Sequence, residues 1–226
     1  TSGSGKSQLI HSIVNSLLLT KTSEEVKFVM IDPKRVELNR YEKLGGYLYA
    51  PIMDTDSNLR VQLYSLKLTM EERYRVLQDS NCSDIEEYNR RFSKKKMSHI
   101  VLVIEEYADL KLAYQNAKTV DNCIISIAQK GRSAGYHLIL ATQSPSVKVI
   151  SDQLKANFAN RIALKVTDHY KSNVILGKHA PGAETLLGNG DGLFSTNGTP
   201  DGLPIRFQGA LVTPEQTKKI IEYLNA

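Results

Sequence analysis

The sequence has few of the features that would set it apart from ordinary globular proteins. Its two cysteines, Cys82 and Cys123, stand in unrelated contexts without metal-ligand spacing, which argues against a disulfide framework and favours a reducing cytosol. No apolar run is long enough to span a bilayer, and no signal-peptide pattern or long low-complexity stretch is present. The net charge of +5 over 226 residues is a mild excess, which permits an anionic partner but does not identify one.

The chain begins inside a phosphate-binding pattern. Residues 1–7 read TSGSGKS, and their last three residues complete the P-loop pattern G-x-x-x-x-G-K-[ST], whose leading glycine would precede Thr1. We therefore expect a piece of a larger protein. Lys6 would place its charge on the β- and γ-phosphates of ATP, and the Ser7 hydroxyl would ligate Mg²⁺. The residues predicted to contact the nucleotide are Thr1, Ser2, Gly3, Ser4, Gly5, Lys6, Ser7 and Gln8. The alternative is a Gly/Ser turn that happens to precede a helix.

The residues after this pattern predict a helix and then a buried strand. Apolar residues between Leu9 and Leu18 recur at helical spacing, so a helix N-terminus would point at the phosphates. The apolar run VKFVMI at 26–31 is typical of a buried parallel strand, which Asp32-Pro33 ends.

A second apolar run, Ile100–Ile104, is followed at once by two acidic residues. In open α/β sheets, ligands bind at the carboxyl ends of parallel strands. Glu105 is therefore predicted to hold the Mg²⁺ shell, and Glu106 to polarise the attacking water as general base. The alternative is a solvated acidic pair at a strand end.

A third predicted strand, His137–Ala141, is followed by Gln143, which could orient the attacking water or merely cap the next loop. Between the second and third strands, residues 120–134 have the pattern of a buried helix with Arg132 near its end. An arginine there could stabilise transition-state charge in a neighbouring subunit, or could simply favour a helix C-terminus.

Together these residues resemble the FtsK/SpoIIIE family of DNA translocases over essentially the whole chain. Besides TSGSGKS, the matching segments are MIDPKRVEL at 30–38, MEERY at 70–74, DIEEYN at 84–89, VLVIEEYADL at 101–110, AQKGRSAGYHLILATQSPSV at 128–147, LKANFANRIALKV at 154–166 and GAETLLGNGDGLF at 182–194. A P-loop alone would be unspecific, whereas the ordered set is highly specific.

The resemblance implies a single RecA-like P-loop α/β domain over residues 1–226, with a mostly parallel central sheet flanked by helices. It also implies ATP hydrolysis with Mg²⁺, a hexameric ring of identical subunits and movement of double-stranded DNA. Family members carry another motor subdomain before the P-loop, often membrane segments, and often a C-terminal winged helix. We therefore expect a cytoplasmic domain whose parent protein is anchored, if at all, in the bacterial inner membrane.

Two loops, residues 111–118 after the second predicted strand and residues 146–155 after the third, are candidates for the inner surface of such a ring. Their lysines Lys111, Lys118 and Lys148 would contact DNA phosphates. Arg161 is the second candidate for a trans-acting arginine. The chain departs from the family at Glu105, where Asp is usual, at Ser144, where Arg is usual, and at Lys148, where an acid is usual. Two other functions stay open: a related ring ATPase that moves protein, and a non-catalytic nucleotide-binding module.

Two further sets of residues are assigned no binding function by their pattern. Gly188, Gly190 and Gly192 fit tight turns better than a second nucleotide loop, because no helix with Lys-Ser/Thr follows them. The five histidines show no metal-ligand spacing.

Overall fold

The computed structural model of the protein describes residues 3–55, 58–114, 118–177, 182–196 and 203–225. The chain forms two compact units. We call them the P-loop unit (Thr1–Ser16 and Thr142–Thr217) and the parallel-sheet unit (Leu17–Ala141 and Lys218–Ala226). The prediction of a single functional domain over residues 1–226 is not tested by this division and stays a prediction.

A parallel sheet forms the centre of the parallel-sheet unit. Its described strands are β1 (Val26–Ile31), β2 (His99–Ile104) and β3 (Tyr136–Leu140), in the order β1-β2-β3. β1 and β2 are almost entirely buried, which explains why they read as continuous apolar runs rather than as alternating ones. Each strand lies within one residue of its predicted bounds, and the predicted α/β fold with a parallel sheet is confirmed.

The described helices of this unit are α2 (Leu59–Asp79), α3 (Ile85–Arg91), α4 (Tyr107–Ala113) and α5 (Lys118–Lys130). α2 packs against α5. Its buried side chains, Leu59, Leu63, Leu66, Met70 and Leu77, form the stripe that its sequence predicts. α5 stops at Lys130, before the end of the predicted segment, because Gly131–Gly135 turns into β3 through a bond from Tyr136 N–H to Gly131 O of 2.9 Å.

The P-loop unit contains a second sheet, which is antiparallel. Its described strands are β4 (Arg161–Leu164), β5 (Asp191–Ser195) and β6 (Ile205–Gln208), in the order β4-β5-β6. Its described helices are α6 (Asp152–Ala156) and α7 (His169–Leu176). A small core of buried apolar residues packs there: Ala163, Val166, Leu176, Ala183, Leu186 and Leu193. The sequence did not predict this sheet, because its strands are short and only half-buried.

Two helices carry residues of both units: α1 (Lys6–Thr20) and α8 (Pro214–Leu224). α8 starts at a reciprocal capping box, in which Gln216 N–H donates to Thr213 Oγ1 at 3.2 Å and Thr213 N–H donates to Gln216 Oε1 at 2.9 Å. The pattern Thr213-Pro214-x-Gln216 predicts this start. Among the described residues, no helix is both long and apolar enough to cross a membrane.

Candidate nucleotide-binding site

The backbone of the P-loop has the conformation that its glycines predict. Gly3 and Gly5 have φ of +80° and +97°, in the left-handed region that side chains disfavour. α1 starts directly afterwards, and Leu9 N–H bonds Gly5 O at 2.9 Å as part of the helix's first turn. The first N–H groups of a helix have no partner within it, and the helix dipole adds positive potential there. The predicted anion-binding residues 3–8 therefore lie on a tight loop and a helix N-terminus, while Thr1 and Ser2 lie outside the described residues.

The P-loop backbone is contacted by a distant turn that the sequence did not link to it. Asn189 N–H donates to Gly3 O at 3.1 Å, and Gly190 N–H donates to Ser4 O at 3.0 Å. A Cβ atom on Gly5 would lie 2.5 Å from Gly190 N, so Gly5 needs to be glycine for space as well as for φ. The glycines of residues 188–190 form a tight turn, as predicted, but their partner could not be read from the pattern.

The predicted acidic pair lies at the carboxyl end of β2. Glu105 and Glu106 are both buried, each with 4% of its surface exposed. Glu105 N–H donates to Ile31 O at 3.0 Å, which carries the pairing of β1 and β2 one residue further. Glu106 is the N-cap of α4, where its Oε1 accepts from Ala108 N–H at 3.3 Å. Two adjacent buried carboxylates give this edge of the sheet negative charge, which suits a cation.

A lysine and further acids lie at the same edge of the sheet. Lys34 Nζ is 2.9 Å from Asp109 Oδ2. This hydrogen bond and the charge of Asp109, with smaller contributions from the charges of Glu106 and Glu105, raise the pKa of Lys34. Asp32 is buried and accepts backbone N–H bonds from Lys34, Glu37 and Leu38 at 3.2, 2.9 and 2.9 Å. Asp32 therefore shapes the loop that carries Lys34.

The donors present suit Mg²⁺ better than a metal held entirely by protein. Within the described ranges, no group of three or more His, Cys, Asp or Glu side chains is arranged to hold a metal ion. Mg²⁺ typically uses one or two carboxylates, water and substrate phosphates, so one buried carboxylate such as Glu105 suits it. Ser7, the other predicted Mg²⁺ ligand, is the second residue of α1.

The two remaining predicted catalytic residues lie in different parts of the fold. Gln143 is exposed and follows β3 by three residues. Arg132 is exposed in the turn that leads into β3, and Gly135 O of that turn accepts from Ile100 N–H at 2.8 Å. Arg132 therefore lies at the amino edge of the parallel sheet, whereas the acidic pair lies at its carboxyl edge. A six-residue strand spans roughly 20 Å, so Arg132 is not a neighbour of the acids in its own subunit.

Arg161 has a structural task at the end of α6. Its Nε donates to Phe158 O at 3.0 Å and its Nη2 donates to Lys155 O at 3.1 Å. These bonds satisfy carbonyls at a helix C-terminus, which weakens Arg161 as a candidate for a group that acts on another subunit.

The three predicted DNA-contacting lysines also differ. Lys148 is exposed in the loop after β3. Lys111 Nζ lies 3.0 Å from Asp121 Oδ2 and over the ring of Tyr107, so a phosphate would have to compete with that ion pair. Lys118 is the first residue of α5, and its side chain lies outside the described part of the chain.

Comparison with known proteins gives a consistent family. The sequence model of the FtsK/SpoIIIE family matches residues 1–147. The chain is 39% identical over 229 residues to a DNA translocase FtsK of Leptospira interrogans, covering 98% of this chain and 23% of that protein. It is 38% identical over 222 residues to the DNA translocase FtsK of Caldanaerobacter subterraneus, with coverage of 98% and 30%. The chain thus spans less than a third of the length of these relatives.

Solved structures with the same fold include a conjugation coupling protein and a secretion ATPase. The pCW3 conjugation coupling protein TcpA, solved with ATPγS, superposes with a TM-score of 0.82 at 25% identity, covering 99% of this chain and 62% of that one. The cytoplasmic domain of the type VII secretion ATPase EccC of Thermomonospora curvata superposes with a TM-score of 0.80 at 24% identity, with coverage of 99% and 27%. The second likeness concerns the fold alone.

Proposed function

Because the chain belongs to the FtsK/SpoIIIE family, we propose that it is the nucleotide-hydrolysing part of a motor that moves double-stranded DNA. The observation that carries this proposal is the similarity to proteins named DNA translocases along 98% of the chain. A P-loop with the required glycine conformations and a buried acidic pair after a parallel strand supply the chemistry of ATP hydrolysis.

Each residue of the proposed machinery has one task. The P-loop N–H groups and Lys6 bind the phosphates, and their positive potential offsets the charge that develops on the leaving phosphate. Ser7 and Glu105 would hold Mg²⁺, which supplies charge neutralisation between the phosphates when it is bound. Glu106 accepts the proton of the attacking water, and Gln143 orients that water.

The proposed motor is a ring of identical subunits, most simply a hexamer. Arg132 is the first choice for a residue that completes the site of a neighbour, because it lies at the sheet edge opposite the acids of its own subunit. Lys148, with Lys111 and Lys118, would contact the phosphates of the DNA that passes through the ring.

A second function is favoured by one observation, the fold shared with a secretion ATPase. In that case a ring of the same construction would move protein. The higher sequence identity to the DNA translocases favours DNA.

DNA-stimulated ATP turnover by the full-length protein tests the proposal. A DNA motor hydrolyses ATP faster when duplex DNA is added, and the Lys6→Ala variant shows neither basal nor stimulated turnover. Hydrolysis that ignores DNA but responds to a protein cargo would support the secretion-type function. Nucleotide binding without any hydrolysis would identify a non-catalytic module, and wild-type turnover by Lys6→Ala would overturn the nucleotide site itself.

A further inference from the structure

The turn formed by Gly188, Asn189 and Gly190, here called the 188–190 turn, has an unusual backbone. All three residues have positive φ, of +93°, +52° and +92°. Such a conformation is costly for Asn189 and persists only where surrounding contacts stabilise it. The turn points two successive N–H groups at the P-loop, where they bond the carbonyls of Gly3 and Ser4.

These two bonds determine which way two amides of the P-loop face. In a trans peptide the C=O and the N–H of the same unit point in opposite directions. Because Gly3 O faces the 188–190 turn, Ser4 N–H faces away from it. In the same way, the bond at Ser4 O turns Gly5 N–H away from the 188–190 turn.

The backbones of the P-loop and the 188–190 turn pack too closely for one to move without the other. A Cβ on Gly5 would lie 2.5 Å from Gly190 N and 2.8 Å from Gly190 Cα. Two glycine backbones therefore meet directly, and a displacement of the turn by a few tenths of an ångström would be passed to the P-loop.

The 188–190 turn is itself held by the ends of β5 and β6. Gly209 N–H donates to Gly190 O at 2.8 Å, and Gln208 Nε2 donates to Asn189 O at 2.9 Å. The Asp191 carboxylate accepts from Arg206 Nε at 2.9 Å, from Arg206 Nη2 at 2.8 Å and from Leu187 N–H at 2.8 Å. This two-pronged bond to Arg206 lowers the pKa of Asp191 to about 2, so the ion pair is intact at neutral pH.

We infer that the 188–190 turn is a positioning element for the P-loop, and that the Asp191–Arg206 ion pair sets nucleotide affinity although neither side chain belongs to the P-loop. The inference rests on the proposed function of the P-loop. The residues of the turn lie more than 180 positions from the P-loop in the sequence. They would affect nucleotide binding by orienting the P-loop amides rather than by contacting the nucleotide.

Substituting Gly190 in the full-length protein tests the inference against a matched control. Gly190→Ala forces a Cβ into a residue with φ of +92° and to within 3.0 Å of Gln208 Nε2. Gly177→Ala, at the end of α7, imposes a similar strain at φ of +98° but meets nothing within 4 Å. We expect Gly190→Ala to bind a non-hydrolysable ATP analogue about tenfold more weakly, and Gly177→Ala to bind as wild type does.

A second pair of variants acts without changing the backbone. Arg206→Ala should raise KM for ATP several-fold while kcat at saturation stays within about twofold, and Arg206→Lys should recover part of the loss. Lys171→Ala, which removes an exposed ion pair with Asp168 in the same unit, is the control and should leave KM unchanged. In wild type, the analogue should slow hydrogen exchange at the amides of Asn189 and Gly190, because binding and turn formation stabilise each other.

The outcomes separate this inference from the proposed function. If Lys6→Ala abolishes binding while Gly190→Ala and Arg206→Ala bind as their controls do, the positioning role is wrong and the nucleotide site stands. If Lys6→Ala binds the analogue normally, the proposed function is wrong. If Gly190→Ala does not fold, the Arg206 variants and hydrogen exchange at the turn amides test the inference instead. An unchanged KM for ATP in Arg206→Ala, together with turn amides that the ATP analogue does not protect, would refute the positioning role.

Discussion

At the scale of single residues, Glu106 combines a structural and a proposed chemical task. Its carboxylate caps α4 by accepting from Ala108 N–H, while it stands directly after β2 as the candidate base. A glutamine keeps an oxygen for the cap and loses the basic carboxylate. The substitution therefore separates the two tasks.

We predict that Glu106→Gln binds ATP as wild type does and loses hydrolysis by at least about a hundredfold, the usual loss when a general base is removed. The measurement is ATP turnover beside the affinity for an ATP analogue, with thermal unfolding to check that α4 is retained. Substantial turnover by Glu106→Gln would show that another group removes the proton.

Glu105 is the departure from the family that bears most directly on the metal. Glutamate is longer than aspartate by one methylene, and Mg²⁺ demands near-ideal octahedral geometry. A carboxylate that contacts the metal through a bound water can accommodate the extra length of glutamate, whereas a direct ligand could not.

We therefore predict that Glu105→Asp retains ATP hydrolysis to within a few-fold, because the charge is kept and a water can adjust. ATP turnover as a function of Mg²⁺ concentration measures this. If Glu105→Gln abolishes turnover while Glu106→Gln does not, the roles of the two glutamates are reversed.

At the scale of elements, the amino edge of the parallel sheet carries a histidine pair that the sequence did not single out. His99 starts β2, and its Nδ1 lies 3.0 Å from Nε2 of His137 in β3. His99 Nε2 lies 3.2 Å from Glu86 Oε1 of α3. Burial is the largest cause that lowers the pKa of both histidines, and for His137 the charge of His99 adds to it.

This pair predicts a pH dependence of stability with a definite sign. Because burial holds the pKa of both histidines in the folded protein below the ordinary value of 6.5, the unfolded chain binds more protons in this range, and stability falls as pH drops below about 6.5. Wild type should unfold at a lower temperature at pH 5.5 than at pH 7.5, and His137→Gln should narrow that difference. Melting curves at the two pH values measure it, and an unchanged difference in the variant would contradict the assignment to this pair.

At the scale of the whole molecule, the proposed roles of Arg132 and Lys148 depend on other molecules, a neighbouring subunit for Arg132 and DNA for Lys148. Arg132 is exposed at the amino edge of the parallel sheet, away from the acids at the carboxyl edge. Lys148 is exposed in a loop that is a candidate for the lining of the proposed channel. Both roles are therefore tested in the assembled, full-length protein.

For Arg132 we predict complementation between subunits. Arg132→Ala and Lys6→Ala proteins should each lack ATP turnover, and mixing them should restore part of it, because some interfaces then combine one intact P-loop with one intact arginine. Turnover is measured against mixing ratio. Normal turnover by Arg132→Ala alone would move the role to Arg161.

For Lys148 we predict one contact with a DNA phosphate, which the Lys148→Ala substitution removes. Lys148→Ala should weaken duplex DNA binding equally across sequences and reduce the slope of log K against log salt by about one unit. Lys94→Ala, in an exposed basic run of the parallel-sheet unit, is the matched control and should leave the slope unchanged. Equal slopes for wild type and Lys148→Ala would place this loop outside the DNA path.

Features that depend on neighbours within a few residues could be predicted from the amino-acid sequence. The apolar runs of β1, β2 and β3, the buried stripe of α2 and the capping box of Thr213 and Gln216 were all predictable, because helix and strand periods and caps are local. The P-loop pattern and the acids after β2 were predictable for the same reason, as continuous motifs.

Contacts between groups that are distant in the sequence follow from the packing of the folded chain. The 188–190 turn had the composition of a turn, but its contact with Gly3 and Ser4 joins residues more than 180 positions apart. The ion pair of Lys111 with Asp121 and the meeting of His99 with His137 likewise carry no local signal. Such contacts depend on how helices and strands pack, and a pattern that repeats every two or four residues says which face is buried but not what covers it.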